Sequence, residues 1–389
     1  MAKTETDQTA VDIAAVKLND FRPAYLEIDL QAFAANFAEV RRLVGNDLSI
    51  MAVVKANAYG HGAPAVARCA QDCGAAFLGV AFIEEGEQLL NHGIKVPIVV
   101  LYPDLPERAL RLVKSDLIAT VDNIEYAVAL NSAAVSLKKK ARVFLKLETG
   151  MGRYGLDPGD LGGFSKSIKQ LKNVKVMGIT TNLANSAMTD GKLSKTQSDE
   201  FAEMIDKLDG EISIDYKSIE NSGGLLYSHQ DRFNLIRIGI LLYGVSPNGL
   251  LSDRFQPVMS LRSRIVKIKR WPAGRPLGYG GTFIPDRECL IATIPVGYAD
   301  GLPWLLSNKG RVLIKGKRAA IVGKVCMDAI MVDITGIQSV ESGEEVVLIG
   351  RQGGERITIE EVASIAGSFP YEILTRMSER LPRFYKESP

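Results

Sequence analysis

Four polar side chains lie at or shortly after the ends of apolar segments, where buried strands would bring them to one edge of a sheet: Lys55, Arg153, Asn182 and Arg237. The apolar run Ile50–Val54 leads directly into Lys55. A lysine that ends a strand is most often a solvated side chain. Partial desolvation, however, favours the neutral amine, which is the nucleophile that forms Schiff bases with carbonyl groups. Lys55 is therefore a candidate for covalent chemistry.

The elements that would position these residues alternate between two kinds. From about residue 22 to 255, eight short apolar runs alternate with helical-period segments such as Ala63–Cys73, Glu84–Gly93 and Lys195–Leu208. The runs are Ser49–Lys55, Phe77–Val80, Pro97–Leu101, Leu117–Val121, Ala141–Leu147, Val176–Thr180, Lys217–Glu220 and Leu235–Ile238. Parallel strands need crossover connections, so the pattern predicts an α/β fold, a (β/α)8 TIM-type barrel with its active site at the carboxyl ends of the strands.

After about residue 256 the pattern changes to closely spaced β-branched runs. They are Leu261–Lys269, Cys289–Pro295, Arg311–Ile314, Ile321–Val325, Ile330–Ile334 and Glu345–Ile349. Gly and Pro separate them at short intervals, which favours antiparallel strands. A helix is expected to follow Thr358, which resembles the start of a capping box, and to end near Gly367. We therefore predict an N-terminal extension at 1–21, a barrel at 22–255 and a mostly β domain at 256–389.

Composition excludes several classes of protein. A net charge of +2 and a single short basic block, Lys138–Lys140, give no reason to expect nucleic-acid binding. No apolar run reaches the ~18 residues of a membrane span, and the N-terminus lacks the apolar core of a signal peptide. Four cysteines and three histidines show no metal-ligand spacing, so no metal is expected. These features predict a protein of the reducing cytoplasm.

One stretch, Val54-Lys55-Ala56-Asn57-Ala58-Tyr59-Gly60-His61-Gly62, resembles the cofactor-lysine signature of the alanine racemase family. The similarity runs from about Phe21 to Tyr385. It includes Thr149–Arg153, Asn221-Ser222, Arg237–Gly244, Gly278–Gly280, Gly297–Gly301, Cys326–Asp328 and Tyr371-Glu372. The resemblance implies a barrel followed by a β domain, pyridoxal 5'-phosphate as cofactor, and interconversion of L- and D-alanine. It also implies a homodimer with shared active sites, and a role in D-alanine supply.

The resemblance implies two catalytic bases. Lys55 would hold the cofactor and act on one face of the substrate α-carbon, and Tyr279, from the partner subunit, would act on the opposite face. Inversion needs a base on each face, because one removes a proton and the other returns one. Arg237 would face the pyridine nitrogen and disfavour its protonation, which should suppress transamination. A salt bridge at the barrel end is the plainer interpretation of Arg237.

Further roles follow from the same resemblance. The phosphate would be held by Tyr59, Ser222, the backbone amides near Gly239 and Ile240, and Tyr371. Arg153 and the amide of Met327 would bind the substrate carboxylate. Supporting residues would be Tyr298, Asp328 and Lys146. Lys146 matches a lysine that is often carbamylated in the family, and an unmodified lysine remains the alternative.

The sequence departs from the family at three positions. Asn182 replaces a histidine that bridges the arginine and the catalytic tyrosine; its oxygen can accept from Arg237 and its nitrogen can donate to Tyr279. At the substrate entrance, Ala187 replaces an acidic residue and Trp304 an arginine, while Lys324 keeps a third, basic position. These changes put strict specificity for alanine in doubt.

Two alternatives stay open. A related barrel decarboxylase would normally place a carboxylate near the pyridine nitrogen and a cysteine in the partner-supplied site, where this chain has Arg237 and Tyr279. A non-catalytic protein that binds pyridoxal phosphate would lack the domain at 256–389, although a formerly active enzyme altered at Asn182 would keep it.

Overall fold

The computed structural model describes residues 21–185, 192–219, 221–226, 233–247, 249 and 252–386. Its strands are β1 (Tyr25–Asp29), β2 (Ser49–Val53), β3 (Phe77–Val80), β4 (Ile98–Val100), β5 (Ala119–Val121), β6 (Ala141–Lys146), β7 (Val174–Thr180), β8 (Tyr216–Ser218), β9 (Leu235–Ile238), β10 (Met259–Arg264), β11 (Lys267–Trp271), β12 (Cys289–Ile294), β13 (Arg311–Ile314), β14 (Lys317–Val322), β15 (Ile330–Asp333), β16 (Glu345–Gln352), β17 (Glu355–Ile357) and β18 (Arg383–Lys386). Its helices are α1 (Leu30–Val44), α2 (Lys55–Tyr59), α3 (Ala63–Asp72), α4 (Ile83–Asn91), α5 (Ala109–Lys114), α6 (Ile124–Ser136), α7 (Leu161–Ile168), α8 (Lys192–Leu208), α9 (Ile359–Ile365) and α10 (Pro370–Thr375).

The chain divides into two compact units. The barrel unit comprises residues 33–58 and the described part of 66–256. The β-rich unit comprises the described part of 1–32, residues 59–65 and the described part of 257–389. No helix in the described ranges is long and apolar enough to cross a membrane.

The barrel unit contains the parallel strands that the apolar runs predicted. They form two four-stranded sheets, in the orders β4-β3-β2-β9 and β5-β6-β7-β8. A parallel bridge between Val99 and Ile118 joins the sheets at one seam, and the Asn234 amide donates to the Lys217 carbonyl, 3.2 Å away, at the other. The prediction of an α/β barrel followed by a β-rich region is confirmed.

Large apolar side chains fill the barrel interior. The buried cluster consists of Met51, Phe77, Val99, Ile118, Phe144 and Leu235, one from each of six strand regions. Alternate residues of a strand point to opposite faces, so each strand contributes to this core while its carboxyl end remains free to carry polar groups. The packed core thus fixes the positions from which the site residues extend.

The β-rich unit is built on one large sheet with the strand order β11-β12-β15-β14-β13-β16-β10-β1-β18, and β17 pairs with β16. Its pairs are antiparallel except β1 with β18. Strand β1 was not predicted: although it precedes the barrel strands, it pairs with β10 and β18, both of which come from the end of the chain.

One strand run and one helix of this unit can be compared directly with their predictions from the sequence. The expected single run Leu261–Lys269 is wrong, because the chain changes partner at Ile265 and Val266, whose amides donate to the carbonyls of Glu344 and Thr293. The predicted helix after Thr358 is confirmed: the Thr358 hydroxyl accepts from the Glu361 amide at 3.1 Å, and the helix ends just before Gly367.

Candidate active site

Lys55 stands at the carboxyl end of β2, separated from it only by the buried Val54. The chain then makes a left-handed turn, since Ala56 to Tyr59 all have φ near +52°. Left-handed backbone costs a non-glycine residue about 1–2 kcal/mol, so a run of four needs external support. The turn keeps an internal bond from the Ala58 amide to the Val54 carbonyl, 2.9 Å long.

Glu85 supplies part of that support. One of its carboxylate oxygens accepts from the Ala56 amide at 2.7 Å, and the other accepts from the Ala81 amide at 2.6 Å. Glu85 lies in the first turn of α4, so one carboxylate both caps that helix and ties it to the turn that begins at Lys55. Glu85 was not predicted from the sequence, in which its position three residues after the helix N-cap was the only local signal.

Arg237 lies in β9 and is 6% exposed. One terminal nitrogen donates to the hydroxyls of Thr180 and Ser218, both at 2.6 Å. The other donates to the Thr181 carbonyl at 2.6 Å and to Asn182 Oδ1 at 2.7 Å. These hydrogen bonds fix the plane of the guanidinium, and the four acceptors named here are uncharged.

Asn182 accepts from two basic groups. Besides Arg237, Lys146 Nζ donates to its Oδ1 at 3.3 Å. The predicted contact of Asn182 with Arg237 is therefore present, and the contact with Lys146 is an addition. Lys146 is 7% exposed, and burial together with the charges of Arg237 and Arg153 holds its pKa well below the ordinary value.

Stability should consequently depend on the titration of Lys146. In the unfolded chain Lys146 has its ordinary pKa of about 10.5, whereas in the folded chain its pKa is lower and the ammonium loses its proton at lower pH. Between these two values folding gains stability as pH rises, by up to about 1.4 kcal/mol per pH unit. In Lys146→Met, which keeps an apolar stem of similar length, this contribution should vanish. Urea unfolding of both proteins at increasing alkaline pH checks this, and parallel stability curves would contradict it.

The loop that carries Arg153 is held by Glu148. Its carboxylate accepts from the amides of Met151 at 2.6 Å and Gly152 at 2.9 Å. Partial burial raises the pKa of Glu148. The hydrogen bonds from these and neighbouring amides lower the pKa by a larger amount, so the net shift is downward. The Arg153 guanidinium lies 5.2 Å from the centroid of the Tyr102 ring.

Gln197 of α8 is a second site residue that was not predicted from the sequence. Its side chain is completely buried. Nε2 donates to the Asn182 carbonyl at 3.0 Å and to Thr149 Oγ1 at 3.3 Å, while Oε1 accepts from the Ala184 amide at 2.8 Å. It therefore links the loop after β6 to the loop after β7. Ala187, an entrance position in the sequence analysis, lies outside the described residues.

Ser222 and Gly239 meet between the ends of β8 and β9. The Ser222 hydroxyl is buried and accepts from the Gly239 amide at 3.0 Å. Ile240 begins the short 3-10 helix Ile240–Tyr243 directly afterwards. Hydroxyls and backbone amides at a barrel mouth are common ligands for phosphate.

The β-rich unit brings together the other two predicted phosphate ligands. The rings of Tyr59 and Tyr371 have centroids 6.1 Å apart. Burial raises the pKa of Tyr371 to about 12, which keeps its hydroxyl protonated and able to donate. The adjacent Gly60 has φ +82°, and a Cβ there would lie 2.2 Å from the Leu374 carbonyl oxygen, so only glycine fits.

The same unit carries a group of exposed residues. Tyr279 is 72% exposed, and Met327, Trp304 and Tyr298 are each about half exposed. The Lys324 ammonium lies 5.9 Å from the Trp304 ring centroid, so the altered entrance position Trp304 is in contact with the basic position Lys324. A cavity of about 570 Å³ is lined in part by Tyr298 and Trp304.

Asp328 is anchored by an ion-pair network. Its carboxylate accepts from Arg380 at 2.7 Å, and Arg380 also lies 3.5 Å from the buried Asp300. Arg22 binds Asp300 through both terminal nitrogens, at 2.6 and 3.0 Å. The Tyr298 amide donates to the Cys326 carbonyl, which joins this network's loop to the segment that carries Met327.

The chain is similar to known proteins over most of its length. Residues 28–247 match the family model "Alanine racemase, N-terminal domain", and residues 258–385 match "Alanine racemase, C-terminal domain". A relative named alanine racemase from Halothermothrix orenii is 41% identical over 368 residues, which cover 94% of this chain and 97% of that protein.

Two solved structures are also similar. Alanine racemase from D-cycloserine-producing Streptomyces lavendulae superposes with a TM-score of 0.89 at 33% identity, covering 95% of this chain and 98% of the other. Alanine racemase from Bartonella henselae, described with covalently bound pyridoxal phosphate, gives a TM-score of 0.85 at 30% identity, covering 94% and 99% of the two chains.

Proposed function

The chain belongs to the alanine racemase family, and from that premise we propose that it interconverts L- and D-alanine with Lys55 and Tyr279 as its two bases. It is thus an amino-acid racemase, an isomerase that depends on pyridoxal phosphate. The observation that carries the assignment of Lys55 is its position at the carboxyl end of β2, at the same barrel end as Arg237 and Ser222.

The barrel residues fit an anionic cofactor. Lys55, Lys146, Arg153 and Arg237 gather basic groups at this end, and the depressed pKa of Lys146 arises in part from the positive charges of its two arginine neighbours. Added negative charge would relieve that repulsion. In this proposal Lys55 would hold the cofactor covalently and Arg237 would interact with its pyridine nitrogen.

The remaining ligands complete the cofactor site. Ser222 and the amides of Gly239 and Ile240 would hold the phosphate, together with the hydroxyls of Tyr59 and Tyr371. When bound, pyridoxal phosphate withdraws electrons from the substrate α-carbon and makes its hydrogen acidic. Arg153 and the Met327 amide would orient the substrate carboxylate, while Lys146, Asn182, Tyr298 and Asp328 support these contacts.

Proton movement is assigned to the two bases. Lys55 takes or returns the α-hydrogen on one face, and Tyr279 does so on the other, so that a proton removed by one base and replaced by the other inverts the centre. The hydrogen bonds from Arg237 to Thr180, Thr181 and Asn182 hold its guanidinium in place, and an arginine at the pyridine nitrogen would disfavour protonation of that nitrogen and so suppress transamination.

The function is tested by incubating the protein with each enantiomer of alanine and following optical rotation. Both solutions should reach the same value, zero rotation. Release of carbon dioxide would instead indicate the barrel decarboxylase, and no change would indicate a non-catalytic binding protein; the comparisons favour neither. Repeating the assay with serine, lysine and glutamate tests whether Asn182 and Trp304 widen the substrate range.

We further propose a homodimer that supplies D-alanine in the cytoplasm. The exposed apolar residues of the β-rich unit support a partner subunit: Tyr279, Ile284, Trp304, Leu305 and Met327 are each about half exposed or more. The four cysteines are all free thiols, which agrees with a reducing compartment.

Shared active sites predict complementation between inactive variants. When Lys55→Ala and Tyr279→Phe subunits are mixed equally and allowed to exchange, each heterodimer contains one intact and one doubly altered site. Random pairing should restore about a quarter of the wild-type activity. Activity is measured before and after exchange, and each variant incubated alone serves as the control. If the mixture stays as inactive as its components, the two bases come from the same subunit.

A further inference from the structure

Tyr102 contacts the amine on which the proposed reaction depends. It follows β4 after one intervening residue, Leu101, and is half-buried. Lys55 Nζ donates to the Tyr102 hydroxyl oxygen at 3.0 Å and lies 5.2 Å from the centroid of the ring. None of the roles assigned above involves this tyrosine, and no sequence pattern singled it out.

The ring of Tyr102 is packed on several sides. Its centroid is 5.4 Å from that of Tyr154 and 6.4 Å from that of Phe82, both in tilted arrangements. The Arg153 guanidinium lies 5.2 Å from the same ring. Contacts of this kind stabilise one ring orientation. The hydroxyl is therefore held at a fixed place rather than following the flexible lysine.

The charges around the hydroxyl favour its role as an acceptor. Burial raises the pKa of Tyr102, but the hydrogen bond and charge of Lys55 and the charge of Arg153 outweigh burial, so the net shift is downward. Glu85, on α4, acts weakly in the opposite direction. The nearby positive charges thus stabilise negative charge on the phenol oxygen, which suits an oxygen that accepts an N–H from lysine.

We propose that Tyr102 is a positioning residue for Lys55: its oxygen accepts an N–H of the lysine and so holds the amine at the mouth of β2 when the amine is not bound to the cofactor. This inference rests on the role proposed for Lys55. A lysine stem has many rotamers, and proton transfer is sensitive to displacements of about 1 Å. Without this acceptor the amine spends less time within reach of the α-hydrogen.

The variant Tyr102→Phe tests the proposal, because it removes the hydroxyl and keeps the ring with its contacts to Tyr154, Phe82 and Arg153. The holoenzyme is incubated in deuterated water with each enantiomer of alanine, and exchange of the α-hydrogen is measured across a range of pH. Exchange should fall about 10- to 100-fold for the enantiomer that Lys55 serves. The enantiomer that Tyr279 serves should change by less than about threefold.

Tyr154→Phe is the matched control. It removes the hydroxyl of the tyrosine that packs against Tyr102, so it should leave both exchange rates near those of the wild type. Equal losses for both enantiomers in Tyr102→Phe would indicate a general structural defect and would overturn the proposal, as would two unchanged rates.

A second readout does not depend on activity. Ultraviolet titration of the full-length protein freed of pyridoxal phosphate should show a tyrosine that ionises below the ordinary pKa of a phenol, and this titration should be absent from Tyr102→Phe. In Lys55→Ala this titration should move to higher pH, because its hydrogen-bond donor is gone. An unmoved titration overturns the contact. Loss of racemisation in Lys55→Ala, combined with wild-type behaviour of Tyr102→Phe, would overturn this inference and leave the proposed function intact.

Discussion

Replacement of Lys55 by alanine should reduce racemisation by at least about 10⁴-fold, since the acid–base role alone is worth about 10²–10⁴-fold and the covalent bond to the cofactor is lost as well. The purified variant should also lose the visible absorption of protein-bound pyridoxal phosphate. Activity by optical rotation and absorbance of the purified protein are the two measurements. Both effects follow from the position of the amine at the end of β2.

Chemical labelling gives this prediction an independent check. Borohydride should fix the cofactor irreversibly to the wild-type protein, and peptide mapping should find it on Lys55. Lys95→Ala is a suitable control, because Lys95 is an exposed lysine of the same unit and its loss should change neither activity nor labelling. Cofactor attached to another lysine would refute the assignment.

In Tyr279→Phe, racemisation should fall by about 10²–10⁴-fold while one half of the reaction survives, because the phenol is needed only on one face of the α-carbon. Exchange of the α-hydrogen with solvent should persist for the enantiomer whose hydrogen faces Lys55. The opposite enantiomer should exchange more slowly by about the same factor as racemisation. Nuclear magnetic resonance of each enantiomer in deuterated water measures both rates.

The comparison between enantiomers is the internal control in this experiment. A variant that is merely misfolded or depleted of cofactor loses exchange for both enantiomers together, and its visible absorption falls with them. Tyr279 is 72% exposed in the β-rich unit, so the loss of its hydroxyl should leave the melting temperature within about 1–2 °C of the wild type. Equal loss of exchange from a stable, cofactor-loaded variant would rule out the division of labour.

The charged groups around Asn182 were partly predictable. The chemistry of its side chain indicated that its oxygen can accept from Arg237, and the structure contains that bond at 2.7 Å. The second donor, Lys146, was not expected there. Its contact depends on how the ends of β6 and β7 are staggered, which the sequence pattern does not specify, because strand register is set by pairing between distant segments.

Some features of this protein are local and follow from its sequence. The apolar runs that became strands β2 to β9 reflect the need to bury both faces of a parallel sheet, and the run Ile50–Val54 fixes the place of Lys55 at a strand end. The threonine cap at Thr358 and the stop near Gly367 are likewise properties of a few adjacent residues. Each of these signals lies within about one element's length of chain.

Other features were decided only by the tertiary structure. Glu85 meets Ala56 across 29 positions, Tyr102 meets Lys55 across 47, and Gln197 meets Thr149 across 48. Strand β1 joins β18 from the other end of the chain. Glutamate, tyrosine and glutamine are ordinary surface residues in isolation, and nothing in their own neighbourhood marks a partner. They acquire their roles because closure of the barrel and the sheet brings buried amides, an amine and carbonyls within hydrogen-bond distance, where leaving those groups unpaired would cost about 1–3 kcal/mol each.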